Sequence, residues 1–320
     1  MTTTVTVDLE LADIVPDVEM AVIAPLIDEI ERLKIERNAV VLAHNYMTPD
    51  IYHGVSDLRG DSLALARMAA DTPADVIVMA GVHFMAETAK IISPDKTVLI
   101  PDLEAGCSLA ESITPADIAR LRTQHPGASV VTYVNTSAEV KAASDITCTS
   151  GNAVEIVDSL DTDKVIFIPD QYLGRWVAGQ TDKEIILWDG ACEVHERFTG
   201  DELREYRDLH EGIQIIAHPE CPPDVLDESD FVGSTAGMID WVRTQAPEKV
   251  VLVTECSMSD NVAAESPATE FVRPCNLCPH MKRITLEGIR DALRYMQHEV
   301  VVDDDVAGRA RSAVERMLAV

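Results

Sequence analysis

Three stretches of the chain are almost uninterruptedly apolar, and each stops at a polar triplet. Ala39-Val40-Val41-Leu42-Ala43 runs into His44-Asn45-Tyr46, and Ser129-Val130-Val131-Thr132 runs into Tyr133-Val134-Asn135. Ile213-Gln214-Ile215-Ile216-Ala217 runs into His218-Pro219-Glu220. A strand with water on one face alternates polar and apolar residues, whereas a continuous run suits a strand buried on both faces. A helix-period stretch precedes each run: Pro25 to Lys34, Thr114 to Arg122 and Gly200 to Tyr206. In the second of these, Thr114 suits an N-cap and Pro115 the first turn. Helix and buried strand in alternation predict parallel sheets covered on both faces.

The pattern continues within each unit. Second strands are expected at 76–81, 146–150 and 231–235, and third strands at 98–102, 165–170 and 250–255. A cysteine follows each third strand: Cys107, Cys192 and Cys278, spaced 85 and 86 residues apart. The expected fold is α/β. Three similar three-layer α/β/α domains with short parallel sheets surround a pseudo-three-fold axis and a central active-site cavity. The boundaries fall at 1–110, 111–196 and 197–320. Thr285 to Arg294 resembles the start of a fourth unit without its strands, so the tail is expected to be helical and to pack back on the first unit. Ligands of open α/β sheets bind outside the carboxyl ends of the strands, where the triplets and thiols fall.

At 320 residues the chain can hold two or three domains. It carries 55 acidic residues against 26 basic ones, a net charge of −29. Such a surface repels phosphate backbones and excludes general nucleic-acid binding. Its self-repulsion opposes compactness unless salt screens it. A salt-rich host and an acidic protein in an ordinary cell both fit. No apolar run nears the roughly 20 residues that cross a bilayer. The start, MTTTVTVDLELADIVPDVEM, lacks the features of a signal peptide, so a cytoplasmic location is expected. Seven cysteines in that compartment point to metal or catalytic use rather than a disulfide framework.

One thiol per repeat suits zinc or an iron–sulfur cluster. Structural zinc sites use closely spaced pairs and four ligands. Three thiolates on a 4Fe–4S cluster would leave one iron open as a Lewis acid. Each cysteine alone reads more readily as a buried core residue; the equal spacing and the nearby Gly106 and Gly190 favour ligation. Cys275 and Cys278 form a CxxC pair, a redox pair or half of a zinc site. The absence of a second CxxC excludes a zinc ribbon, and Cys278 fits the spacing better. Cys148, Cys221 and Cys256 read as structural. At the triplets, His44, Tyr46, Tyr133, Asn135, His218 and Glu220 suit carboxylate binding and acid–base work. Each singly is a satisfied strand-end group; together, at equivalent positions, they point to function. Ser62, Ser150 and Ser234-Thr235 head helices beside glycines, as an anion site requires. His195, three residues after Cys192, is a substrate-facing or a surface histidine.

Taken in order, HNY, SDLRGDSL, PDLEAGCSLA, YVN, CTSGNA, WDGACEVH, HPEC, GSTAGM and CPHMKR resemble the quinolinate synthase family, from about Pro25 to about Arg294. The resemblance implies the same three-domain architecture and a 4Fe–4S cluster with one cysteine per domain and one open iron. It implies condensation of iminoaspartate with dihydroxyacetone phosphate to quinolinate, with loss of two waters and phosphate, in NAD biosynthesis. An aspartate-oxidising enzyme would supply the imine. Carried over by motif, the cluster ligands are Cys107, Cys192 and Cys278. Substrate contacts are His44, Ser62, Tyr133, Asn135, Ser150, His218, Glu220 and Thr235. Tyr46, Glu220 and His195 are the acid–base or positioning groups. Ser150-Gly151-Asn152-Ala153 departs from the Ser-Ser-Asn-Ala of many members but keeps Ser150. The residues alone also admit an aconitase-like hydratase, or a zinc-stabilised or cluster-bearing electron-transfer or sensor protein. The many carboxylate-binding groups speak against a pure relay.

Overall fold

The continuous runs become the centres of three parallel sheets. In the computed structural model, which describes residues 11, 14–274 and 276–320, each sheet has four strands. The first contains β1 (Ala39–His44), β2 (Leu58–Gly60), β3 (Val76–Ala80) and β4 (Thr97–Leu99), in the order β2-β1-β3-β4. The second contains β5 (Ser129–Tyr133), β6 (Ile146–Cys148), β7 (Lys164–Ile168) and β8 (Glu184–Leu187), in the order β6-β5-β7-β8. The third contains β9 (Gln214–Ala217), β10 (Phe231–Val232), β11 (Lys249–Val253) and β12 (Glu270–Val272), in the order β10-β9-β11-β12. Every pairing in the three sheets is parallel. The central strands are buried almost throughout, as continuous Val/Ile runs require.

This topology corrects the strand correspondence read from sequence. Val76–Ala80 is the third strand of its unit, equivalent to Lys164–Ile168 and Lys249–Val253, and not a second strand. The true second strand is Leu58–Gly60, a half-buried edge of three residues with no β-branched side chain. Edge strands that short carry almost no pattern of their own. The thiols accordingly follow the fourth strands, not the third. The Cys275 half of the CxxC pair and the extreme N-terminus lie outside the described residues.

Helix starts follow local chemistry. Thr114 caps Pro115–Gln124 in a reciprocal box with Asp117, and Thr199 caps Gly200–Leu209 in the same way with Glu202. Thr285 caps Leu286–Tyr295, so the tail does begin as a further unit would. That helix packs on Asp17–Arg37 and on β3 of the first unit, and Glu299 bridges Leu99 at the edge of β4. The last helix, Asp304–Leu318, lies on Ala138–Ala143 and β6 of the second unit and on His83–Ile92 of the first. The tail therefore binds two units together. One core runs through all three, including Leu42, Val131, Ile216 and Leu252, while separate clusters back the second and third sheets. Among the described residues, no helix is long and apolar enough to cross a membrane.

Candidate active site

Strand register sets the functional side chains. His44 pairs with Gly60, and Ser62 lies two residues beyond. Tyr133 pairs with Cys148, and Ser150 lies two residues beyond. Ala217 pairs with Val232, which sets His218 beside Gly233 with Thr235 two residues on. Each unit thus presents one triplet and one hydroxyl at the carboxyl end of its sheet. The hydroxyls reach across to the next unit. Ser150 Oγ is 3.1 Å from His218 Nε2, and Asn45 Nδ2 donates to Thr235 Oγ1 at 2.9 Å. Ser62 lines a small cavity together with Val134 of the second triplet.

These ends enclose a cavity of about 720 Å³, mouth included, which every site residue expected from the sequence lines. It holds His44, Tyr46, Ser62, Tyr133, Asn135, Ser150, His195, His218, Glu220 and Thr235, together with the three cysteines Cys107, Cys192 and Cys278. His195 is buried at 2 % exposure, which removes the surface reading. Asn135 Oδ1, shut off from solvent, has no hydrogen-bond partner among the described residues. It is an acceptor waiting for a donor.

A chain of short contacts crosses the floor. Tyr46 Oη lies 2.6 Å from Thr254 Oγ1, which lies 2.9 Å from His195 Nε2. His195 Nδ1 lies 2.7 Å from Glu220 Oε2, and Tyr133 donates to Glu220 Oε1 at 2.6 Å. Burial pushes the Glu220 carboxyl up, but the facing His195 and His218 rings and the Tyr133 hydroxyl outweigh it and hold it below the usual carboxylate range. Burial raises both tyrosine hydroxyls well above their ordinary value, with the Glu220 charge adding to the rise, so both stay protonated. Burial lowers His44 to about 4 and His218 to about 3, against the pull of Glu220. Both rings are therefore neutral near pH 7. The backbone N–H of Tyr46 donates to His44 Nδ1, and that of Glu220 to His218 Nδ1. In these two triplets the third residue thus fixes the tautomer of the first, leaving Nε2–H as a donor.

The thiols come in on loops that pass close to other backbone. A Cβ on Gly190 would sit 2.4 Å from the Pro169 carbonyl oxygen, so only glycine lets the Cys192 loop pass. All three cysteines are free thiols opening onto the cavity. Enclosure pushes Cys107 up to about 12 and raises Cys192 and Cys278, so thiolates here require a positive group beside them. Cys192 Sγ, His195 Nδ1 and a Glu220 oxygen lie within 4.8 Å of one another, close enough for one ion; the three thiols make no such set. The three thiols open onto the same cavity, one from each unit, as a shared metal group requires.

Residues 28–319 match the family described as quinolinate synthetase A protein. The chain belongs to that family. It is 64 % identical over 307 residues to quinolinate synthase 2 of Mesorhizobium japonicum, covering 96 % of this chain and 95 % of the relative. It is 62 % identical over 308 residues to the quinolinate synthase of Agrobacterium fabrum, covering 96 % and 89 %, and 63 % identical over 294 residues to that of Xylella fastidiosa, covering 92 % and 87 %. The family assignment makes the chain an enzyme.

Three participants escape a sequence reading of this family pattern. Thr254 joins Tyr46 to His195. Lys282 donates to the Tyr46 carbonyl at 2.8 Å, to Ser257 Oγ at 2.7 Å and to Glu255 at 2.9 Å. Glu193 pairs with His280 at 3.0 Å across two cysteine loops. Thr254 and Glu255 do carry a signal: they are polar residues ending a buried Val run, as the triplets are.

Proposed function

We propose that the chain is a quinolinate synthase. It condenses iminoaspartate with dihydroxyacetone phosphate to quinolinate, releasing phosphate and two waters, in NAD biosynthesis. The observation that carries this reading is the convergence of three triplets, three hydroxyls and three thiols, one of each per unit, on one cavity. The substrates are anions, yet among the described residues no lysine or arginine lines that cavity. Neutral donors must bind them. His44 and His218 are held as Nε2–H donors, and Ser62, Ser150 and Thr235 offer hydroxyls beside them. Asn135 Oδ1 is a free acceptor suited to the imine N–H.

The proton path follows from the contacts. The anionic Glu220 takes the Nδ1–H of His195, which leaves Nε2 to accept from Thr254. Thr254 has one proton, so it donates to His195 and accepts from Tyr46. Tyr46 is then an acid at the cavity wall whose proton can be drawn toward His195 or given to a departing hydroxide. Glu220 orients the ring and stabilises its charge. Cys107, Cys192 and Cys278 would hold the 4Fe–4S cluster, which when bound supplies a Lewis-acidic iron without a protein ligand. We assign the enzyme to the cytoplasm, served by an aspartate-oxidising enzyme.

The test is an anaerobic assay for quinolinate from aspartate, an aspartate oxidase and dihydroxyacetone phosphate. Brown protein that forms quinolinate is expected, and Cys107→Ser should lose colour and activity together. Full activity in metal-free protein would sink the reading.

A further inference from the structure

Cys192, His195 and Glu220 form a set of their own within the cavity. Their sulfur, nitrogen and oxygen donors come from two units, and His195 and Glu220 are 2 % and 3 % exposed. Sγ to Nδ1 is 3.2 Å and Nδ1 to Oε2 is 2.7 Å, with all three donors within 4.8 Å of one another. Zinc binds sulfur at about 2.3 Å and nitrogen or oxygen at about 2.0–2.2 Å, which in a tetrahedron sets donors roughly 3.3–3.8 Å apart. Opening by about half an ångström would seat such an ion. Thr254 Oγ1, 2.9 Å from His195 Nε2, is the outer partner that fixes the ring. All three residues line the cavity.

We propose that the cluster-free chain binds one divalent transition ion of the zinc class at Cys192, His195 and Glu220, and that this ion blocks cluster assembly by occupying Cys192. The proton balance closes without any change of oxidation state. The Cys192 thiol proton leaves to solvent, and the imidazole proton passes from Nδ1 to Nε2, where Thr254 accepts it and turns its own proton to Tyr46 Oη. One thiolate and one carboxylate neutralise the ion. That suits an enclosed pocket, where a buried net charge is costly. Three thiolates on one ion would instead leave a net negative charge there. The blocking step rests on the cluster assignment above; the ion site rests on the geometry alone.

Co²⁺ serves as the probe, titrated into full-length protein stripped of cluster, with circular dichroism as the folding control. One equivalent should bind with thiolate-to-cobalt absorption. His195→Gln and Glu220→Gln should each weaken it at least about ten-fold, and Cys107→Ser and Cys278→Ser should leave it within about two-fold. Zn²⁺ should displace the cobalt and slow reconstitution with iron and sulfide. No cobalt binding, or loss in Cys107→Ser or Cys278→Ser equal to that in His195→Gln, overturns the site. Unchanged reconstitution with zinc bound overturns the blocking step. Failure to reconstitute any cluster without zinc instead strikes the assignment under the proposed function and leaves the cobalt result standing.

Discussion

Thr254 is fully buried, and its single hydroxyl spans Tyr46 and His195. Thr254→Val keeps the shape and breaks the proton path at one atom. We expect kcat to fall roughly 10²-fold, with a stability cost of about 1 kcal/mol for the unpaired groups. Tyr46→Phe cuts the same path, so steady-state kinetics of the double variant should show little further loss; multiplicative losses would mean that the residues act separately. His44 gives a pH test. Burial holds it at about 4 in the folded state, so the unfolded chain binds the extra proton below about 6.5. Its stabilising effect is complete above about 6.5 and is lost as pH falls toward about 4, by roughly 1 kcal/mol per pH unit. The melting temperature of His44→Gln should fall less than that of the unaltered chain between about pH 6.5 and pH 5. Equal slopes would show that His44 does not titrate on unfolding.

At the scale of elements, what was legible follows how local the signal is. The Thr114 and Thr199 caps are set by the next three residues and could be read directly. The Val/Ile runs of β3, β7 and β11 were visible as strands, yet their correspondence slipped because β2, Leu-Arg-Gly, is defined by pairing with β1 rather than by its own residues. The triplets were legible because polar groups ending a buried run need a reason to be there. Lys282 was not, since its three acceptors come from Tyr46, Glu255 and Ser257, and sequence says nothing of that meeting. Glu255 is fully buried, and its carboxylate also accepts the Cys278 N–H. Burial raises its pKa, with Lys282 opposing most strongly. Lys282→Met would strand that carboxylate beneath the third cysteine loop. Because Lys282 is partly exposed, we expect a loss nearer about 2 kcal/mol than the full value for a buried pair. Adding Glu255→Gln should recover part of it in a denaturant titration. No recovery would mean that the lysine acts by packing alone.

The whole molecule carries 29 uncompensated negative charges, and its ion pairs do not dispose of them. Several cations are already shared between two acids: Arg204 with Asp201 and Glu228, Arg243 with Asp240 and Glu265, Arg283 with Asp102 and Glu104. Exposed pairs of this kind contribute little each, while the excess repulsion acts over the whole surface. Salt weakens both. At about 1 M the screening length shrinks to about 3 Å, which removes long-range repulsion before it removes contacts at ion-pair distance. With acids outnumbering bases 55 to 26, the repulsive part is the larger, so molar KCl should raise the melting temperature. Potassium chloride is the right salt, because sulfate or phosphate would strengthen apolar burial whatever the charge. A variant with several exposed acids changed to their amides should begin higher and gain less. A melting temperature equal or lower in molar KCl would show that the shared cations already hold the surface together, and would remove the case for a salt-rich host.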